Sequence, residues 1–354
     1  MPEAFKSCRN ALDSLKEGGT NASLLMAHYL KSTKPDNDAR DDLFKAMGNA
    51  VQSVAETGLY KAAFNRRKAI LDPIAPASRF QTTGVMVIGL GGSNVLETGL
   101  TLNPLYGTPM IPASSIKGIV AHYCSTVLGA ADSRYKGPDI GPDNKPRQKA
   151  GDIYEALFGK LEQSMNEDGA VGKAEPESGF LRFYDAWMVP DDIRKSLVLD
   201  VMTPHHGDYY MGKPKAPTDF DDPNPVTFMT VKGILEVHIG CEEPDPKKRE
   251  AWIGFAQKMT RDALRAIGVG GKTRAGYGQM KPVKQAKATK APKEQKIVIA
   301  DFVGMNGGKP RFKVDGKPAT FNPPVIPQRG QRQFKAIVVR EDANSYVLKL
   351  ADAK

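Results

Sequence analysis

Apolar positions recur with two different periods along this chain. In the first 75 residues they return every three or four: Ser23-Leu-Leu-Met-Ala-His-Tyr-Leu30 is one such run, and Leu43, Phe44, Met47, Val51 and Val54 begin another that continues to Ile70. That spacing predicts amphipathic helices. Between them, 34–42 is expected to be a turn with an acidic helix start, which the helix dipole favours. His28 lies in the apolar run and is expected to pack rather than to ligate. From Thr83 the pattern shortens. A strand is predicted at 83–90, then a loop at 91–99, and Pro109-Met-Ile-Pro-Ala113 leads into a helix with a buried stripe of Ile116, Ile119, Val120, Tyr123, Cys124, Val127 and Leu128, capped by Ser114 or Ser115. Further strands are predicted at 179–187, 197–202, 226–239 and 277–283, with a helix at 248–267.

Two segments interrupt this order. Residues 131–178 are rich in Gly, Pro, Lys and Asp and read as an insertion with one short helix at 152–158; residues 203–225, broken by prolines, read as a projecting hairpin. Without them the order is strand, helix, strand, strand, helix, strand. That is the ferredoxin-like, RRM-like split βαβ plan of an α+β domain, one of whose uses is binding single-stranded RNA. The expected organisation is a helical segment at 1–78, this domain at 79–283, a Lys-rich linker at 284–296 and a small β-barrel at 297–354. The barrel is expected to be antiparallel, OB-like or SH3-like, with five short strands and a hairpin signal at Asp315-Gly316. Phe302, Phe312, Phe321 and Phe334 are candidate base-stacking platforms, although so small a barrel needs most of its aromatics inside.

Composition adds the partner. The chain has 354 residues, 40% hydrophobic and 25% charged, ordinary for a globular protein with room for two cores. No run of 18 apolar residues predicts a membrane span, and residues 1–6 lack a signal-peptide core. Cys8, Cys124 and Cys241 are too few and too scattered for a disulfide framework or a zinc knuckle, which suits the cytoplasm. Net charge is +10, and its distribution is uneven. From Lys281 onward there are 12 Lys and 4 Arg against 6 acids, so that section carries the whole excess and residues 1–280 are neutral. In the linker, lysines recur every third residue, the period of polyproline II. A basic section on a neutral body points to nucleic acid rather than to a membrane.

Candidate chemistry concentrates in Gly268-Val-Gly-Gly-Lys-Thr-Arg-Ala-Gly-Tyr-Gly278, with five glycines, two cations and one aromatic in eleven residues. So many glycines between a helix and a strand predict positive φ or close backbone approach, and Lys272 and Arg274 predict an anion, most naturally a phosphate backbone. The order helix, loop, strand is the reverse of a P-loop's. Lys117, in the first turn of its helix, opposes the dipole unless an anion shares that end. His205-His206-x-Asp208 with Asp219, Asp221 and Asp222 makes a weak metal set, and His206 assisted by Lys213 or Lys215 a weak general base. Tyr209 and Tyr210 fit better as contacts of the projecting hairpin with a strand or a neighbouring subunit. No cofactor fingerprint and no catalytic motif is present.

Four segments together resemble the RAMP superfamily: Gly91-Gly-Ser-Asn-Val-Leu-Glu-Thr-Gly-Leu-Thr-Leu102, Gly107-Thr-Pro-Met-Ile-Pro-Ala-Ser-Ser-Ile-Lys-Gly118, Asp200-Val-Met-Thr-Pro-His-His-Gly-Asp-Tyr-Tyr210 and the glycine loop. The resemblance implies a cytoplasmic ribonucleoprotein subunit of a type III-B (Cmr) CRISPR effector that targets RNA. Its partners would be the guide RNA toward its 3′ end, the target RNA, and neighbouring backbone and end-cap subunits. It further implies that guide phosphates are held by Ser114, Ser115 and Lys117 and by Gly270, Gly271, Lys272, Thr273, Arg274 and Gly276. A thumb would kink the duplex, here with His205, His206, Tyr209, Tyr210, Lys213 and Lys215. In the loop with Ser93 and Asn94, Glu97 stands where a cleaving relative has Asp, so no catalytic residue and no metal are expected. The alternatives are a metal-independent endoribonuclease using His205 or His206, and a purely structural end-cap. Ala113 replaces the family's usual Gly, and the barrel lies outside the family pattern.

Overall fold

The computed structural model describes residues 20–28, 37–92, 96, 98–142, 146–161, 163–165, 171–173, 175–203, 206, 209, 212, 216, 218, 225–283, 297–307, 309–322, 325, 327, 332–342 and 345–350. The chain divides into two compact units, residues 1–284 and 285–354, each with its own hydrophobic core.

The first unit opens with α1 (Ala22–His28), α2 (Asn37–Glu56) and α3 (Leu59–Leu71), followed by β1 (Ala77–Thr82), β2 (Met110–Ile111) and α4 (Ala113–Tyr123). After the short α5 (Asp152–Phe158) come β3 (Leu181–Phe183), β4 (Ala186–Met188), β5 (Leu197–Met202), β6 (Val226–Val231), β7 (Ile234–Cys241), α6 (Pro246–Ala266) and β8 (Met280–Pro282). The main sheet is antiparallel, in the order β8-β1-β7-β4-β2, with β3 also on β7. Read through β1, α4, β3–β4, β7, α6 and β8, this is the ferredoxin-like arrangement. α6 starts where the sequence sets it: Asp245 accepts from the Lys247 N–H at 2.9 Å, and Pro246 takes the first helical position.

One face of the sheet packs on α4 and α6, and the centre of the other, around β7 and β4, is covered too. Along β7, Leu235, Val237 and Ile239 join the core shared with α4 and α6, while the alternate residues Glu236 and His238 lie fully buried on the other face. That face is closed by α3. The Tyr60 hydroxyl donates to the Met188 carbonyl at 2.7 Å, its ring stacks on Trp187 at 5.8 Å, and the Arg67 guanidinium lies 5.0 Å from the Trp187 ring centre.

Several elements depart from the sequence expectation. The first strand is β1, not 83–90. β1 is mostly polar and escapes the alternation rule; its place is set by Arg79, which stands opposite Glu236 in register and donates to it at 2.8 Å. In 83–90, Met86, Val87 and Ile88 are buried in succession, with one bridge from Met86 to Val231, so these residues fill a junction. Gly233, at φ 147°, divides the expected strand 226–239 into β6 and β7. The strand expected at 179–187 is broken at Tyr184–Asp185, and Gly58, at φ 70°, separates α2 from α3. α2 begins at Asn37, inside the expected turn, and His28 is exposed rather than packed.

The second unit is a closed barrel of β9 (Ile297–Asn306), β10 (Lys309–Val314), β11 (Lys317–Phe321), β12 (Gln333–Asp342) and β13 (Ser345–Leu350), ordered β9-β10-β11-β13-β12. Asp315 and Gly316, at φ 50° and 79°, form the tight turn that their sequence signals. β11 and β13 pair in parallel, so the barrel is not purely antiparallel. Phe312, Phe321 and Phe334 pack edge-on within its core.

Glu236 is the buried charge on which the α3 face closes. It accepts from Arg79 and from His238 Nε2 at 3.1 Å, with Lys68 Nζ 3.9 Å away. Burial acts to raise its pKa, but the His238 and Arg79 hydrogen bonds and the nearby cations outweigh it and hold the carboxyl below its ordinary 4.5. A depressed carboxyl stabilises the fold fully above the ordinary value and loses that contribution as pH falls through the lower folded value. Denaturant unfolding should therefore show wild-type stability falling below about pH 4.5, with Glu236→Gln falling less over the same range; equal slopes would contradict this. At neutral pH Glu236→Ala should cost about 1–3 kcal/mol, because it leaves the buried His238 Nε2 without its hydrogen-bond partner and the half-buried Arg79 without its carboxylate.

Candidate nucleic-acid interface

The loop joining α6 to β8 is built against the residues that follow β1. Gly271 N–H donates to the Val87 carbonyl at 2.8 Å, Gly278 N–H to Val85 at 2.9 Å and Val269 N–H to Gly278 at 3.0 Å. Two glycines are compelled by this closeness. A Cβ at Gly270 (φ 93°) would lie 2.2 Å from the Val87 oxygen, and one at Gly278 (φ 70°) 1.9 Å from the Val269 oxygen. Within the loop Thr273–Ala275 forms a 3-10 turn, closed by Ala275 N–H to Lys272 O at 2.9 Å and Gly276 N–H to Thr273 O at 3.0 Å.

This bonding leaves the N–H groups of Gly270, Lys272, Thr273 and Arg274 without a partner among the described residues. Lys272 has left-handed backbone (φ 57°, ψ 29°) and opens a right-handed turn. That succession turns consecutive N–H groups to one side, a concavity suited to an anion. For a residue with a Cβ the left-handed conformation costs about 1–2 kcal/mol, and surrounding contacts must hold it.

Those contacts come from the base of the β5–β6 pair. Lys272 Nζ lies 3.8 Å from Met202 Sδ, 5.3 Å from the Phe228 ring centre and 5.9 Å from that of Tyr277. The Phe228 and Tyr277 rings stack at 6.4 Å, and the Tyr277 hydroxyl donates to Asp200 Oδ2 at 2.7 Å. This bond, with burial second, raises the Tyr277 pKa above its ordinary 10, so the phenol remains a donor at neutral pH. Lys272 is half-buried and fastens the loop to β5–β6, whereas Arg274 is exposed.

The other candidates sit elsewhere. Ser114 is exposed and Ser115 half-buried in the first turn of α4, but neither caps it. Pro112 holds the cap position, and Asp185 Oδ1 accepts the Ala113 N–H at 2.8 Å. Sequence reasoning missed Asp185 because it is 72 residues away along the chain. Lys117, exposed, lines with Ser114 a cavity of about 330 Å³ bounded by Lys149, Tyr154, Glu155 and Phe158. No glycine-loop residue lines it, and β2, the strand that leads into α4, is at the opposite edge of the sheet from β8, which the loop precedes. Of the segment expected to project, His206 is half-buried and Tyr209 exposed. His205, Tyr210, Lys213 and Lys215 lie outside the described residues, as do Ser93, Asn94 and Glu97. Among the described residues no group of three or more His, Cys, Asp or Glu could hold a metal ion, and no helix is long and apolar enough to cross a membrane.

A ferredoxin-like body, a split sheet carrying a β5–β6 projection and a glycine loop fastened to its base define the class. The RAMP superfamily profile matches residues 79–281, and the chain belongs to that superfamily. Over 252 residues it is 31% identical to the CRISPR system Cmr subunit Cmr6 of Pyrococcus furiosus, covering 63% of this chain and 72% of that protein. Among solved structures, the crystal structure of Cmr6 from Pyrococcus furiosus is 25% identical over 59% of this chain and 98% of that one, with a TM-score of 0.33. A chain of the type III-B Cmr-beta complex bound to cognate target RNA is 20% identical over 79% of this chain and 87% of that one, with a TM-score of 0.41.

The loop geometry separates its glycines. Gly278→Ala should lower thermal stability by more than the 1–2 kcal/mol of its backbone conformation alone, since the new Cβ meets a carbonyl. Gly271→Ala, whose Cβ would sit 3.6 Å from Leu90 Cβ, should stay within about 0.5 kcal/mol of wild type. Melting curves that rank the two alike would contradict the close approach.

Proposed function

We propose that this chain is a guide-RNA-binding subunit of a type III-B CRISPR (Cmr) ribonucleoprotein. It holds the strand through phosphates toward the 3′ end of the guide, near the guide–target duplex and beside backbone and end-cap subunits, and contributes binding rather than cleavage. The observation that carries this is the unpartnered run of N–H groups at Lys272, Thr273 and Arg274 beside an exposed guanidinium. The likeness to Cmr6 supports the complex. The sheet supports the mode of contact, because α3 with Tyr60 and Arg67 occupies the face around β4 and β7 where an RRM would stack bases. Lys117 and the start of α4 serve as a second, separate contact along the strand. His206, half-buried in the segment expected to project, is taken as a contact to a strand or a neighbouring subunit, and no proton-transfer step is assigned to it.

Phosphate contacts carry salt dependence without sequence preference. Replacing Lys272 and Arg274 by Ala should weaken binding of unrelated single-stranded RNAs alike and reduce the slope of log affinity against log salt by about 0.7 per lost contact. Fluorescence anisotropy over a salt series reads this directly. An unchanged slope would remove the loop from the RNA, and cleavage of the RNA in EDTA that is lost in His206→Ala would replace the binding role with a nuclease.

A further inference from the structure

The superfamily match ends at residue 281, yet the barrel beyond it carries an organised surface of its own. Its strand order β9-β10-β11-β13-β12, closed by β9 on β12 and with β11 parallel to β13, is that of the OB barrel, in which oligonucleotides lie across the second and third strands. On those strands the inward positions are filled by Phe312, Val314, Ala319 and Phe321. The aromatics that sequence offered as stacking platforms are thus core, and Phe302 packs against that core. The outward positions of β10 are Lys309, Arg311 and Lys313, all exposed, and Lys317, opposite Val314 at the start of β11, is exposed as well. Among the described residues none of these four makes an ion pair or a side-chain hydrogen bond. The one carboxylate in register with them, Asp301 opposite Lys313, accepts from Gln333 Nε2 at 2.9 Å.

Spacing suits the same ligand. Alternate residues of a strand stand about 6.6–6.8 Å apart, close to the separation of successive phosphates along an extended nucleic-acid chain. At the β9 bulge beside Arg311, Val303 is 56% exposed and offers an apolar contact for sugars and base faces. We propose that the β10–β11 face of the barrel binds single-stranded nucleic acid through its phosphates, without sequence preference, as a site separate from the glycine loop.

The full-length chain tests this with two double variants of equal charge change. Lys309→Glu with Arg311→Glu alters the proposed face; Lys335→Glu with Lys349→Glu alters exposed lysines on β12 and β13. Anisotropy with labelled oligo-U and oligo-dT is measured over a salt series, with melting curves to verify that both variants fold. The first variant should lose several-fold affinity for both oligonucleotides and about 1.4 in salt slope, two contacts at about 0.7 each, and the second should match wild type. The same loss should appear in the Lys272→Ala, Arg274→Ala background, which separates this face from the loop: loss there with an unaffected loop variant leaves the barrel site standing alone. Equal loss in both charge variants would show a general charge effect and overturn the proposal. An unchanged slope in the first would do so too, whether the face then proves to dock a protein or nothing.

Discussion

The close approach of two backbones, at Gly270 over Val87 and at Gly278 over Val269, governs the candidate site. With carbonyl oxygens 2.2 and 1.9 Å from where a Cβ would stand, only glycine permits the loop to lie down on residues 85–87. Once it does, Gly271, Val269 and Gly278 spend their N–H groups on the frame, and the chain between must turn through left-handed Lys272 to reach the 3-10 turn. The N–H groups left outward are a consequence of that packing. Aromatic and thioether contacts from β5–β6 then hold Lys272 in its unfavourable backbone conformation, so one side chain ties the shape of the loop to the β5–β6 pair.

Covering the centre of the sheet's second face has a consequence for contact. In an RRM the open face stacks bases; here Tyr60, Arg67 and the Glu236–His238–Arg79 cluster close it with α3. On the proposed function, contact with a strand falls to the loops and edges, where amides and cations would meet phosphates and bases would stay free to pair. The barrel follows the same logic on a smaller scale: its aromatics are consumed by its core, and its outward strand positions carry charge.

Much of this was legible in the sequence, for identifiable reasons. The 3.6-residue stripes of α2, α4 and α6 and the Asp-Gly turn of the barrel are local signals, and local energetics decide them. The glycine loop could be singled out because positive φ leaves a compositional mark. β1 could not, since its residues are polar and its place is set by Glu236, far away in sequence; nor could the breaks at Gly233 and Tyr184–Asp185, which answer to partners across the sheet. The cap of α4 does not fall to Ser114 or Ser115 because the Asp185 carboxylate, at the break between β3 and β4, accepts the Ala113 N–H. Tyr277 and Asp200 were visible as residues of their motifs, but their hydrogen bond across 77 residues was not.

The central claim, that phosphates are taken by the amides of the glycine loop, is tested most directly by amide hydrogen exchange of the full chain with and without single-stranded RNA. The account predicts slowed exchange at Lys272, Thr273 and Arg274 on RNA addition, with Gly278 and Val269 already slow in its absence. Unchanged exchange at those three amides, with protection appearing on the strands of the main sheet instead, would contradict it.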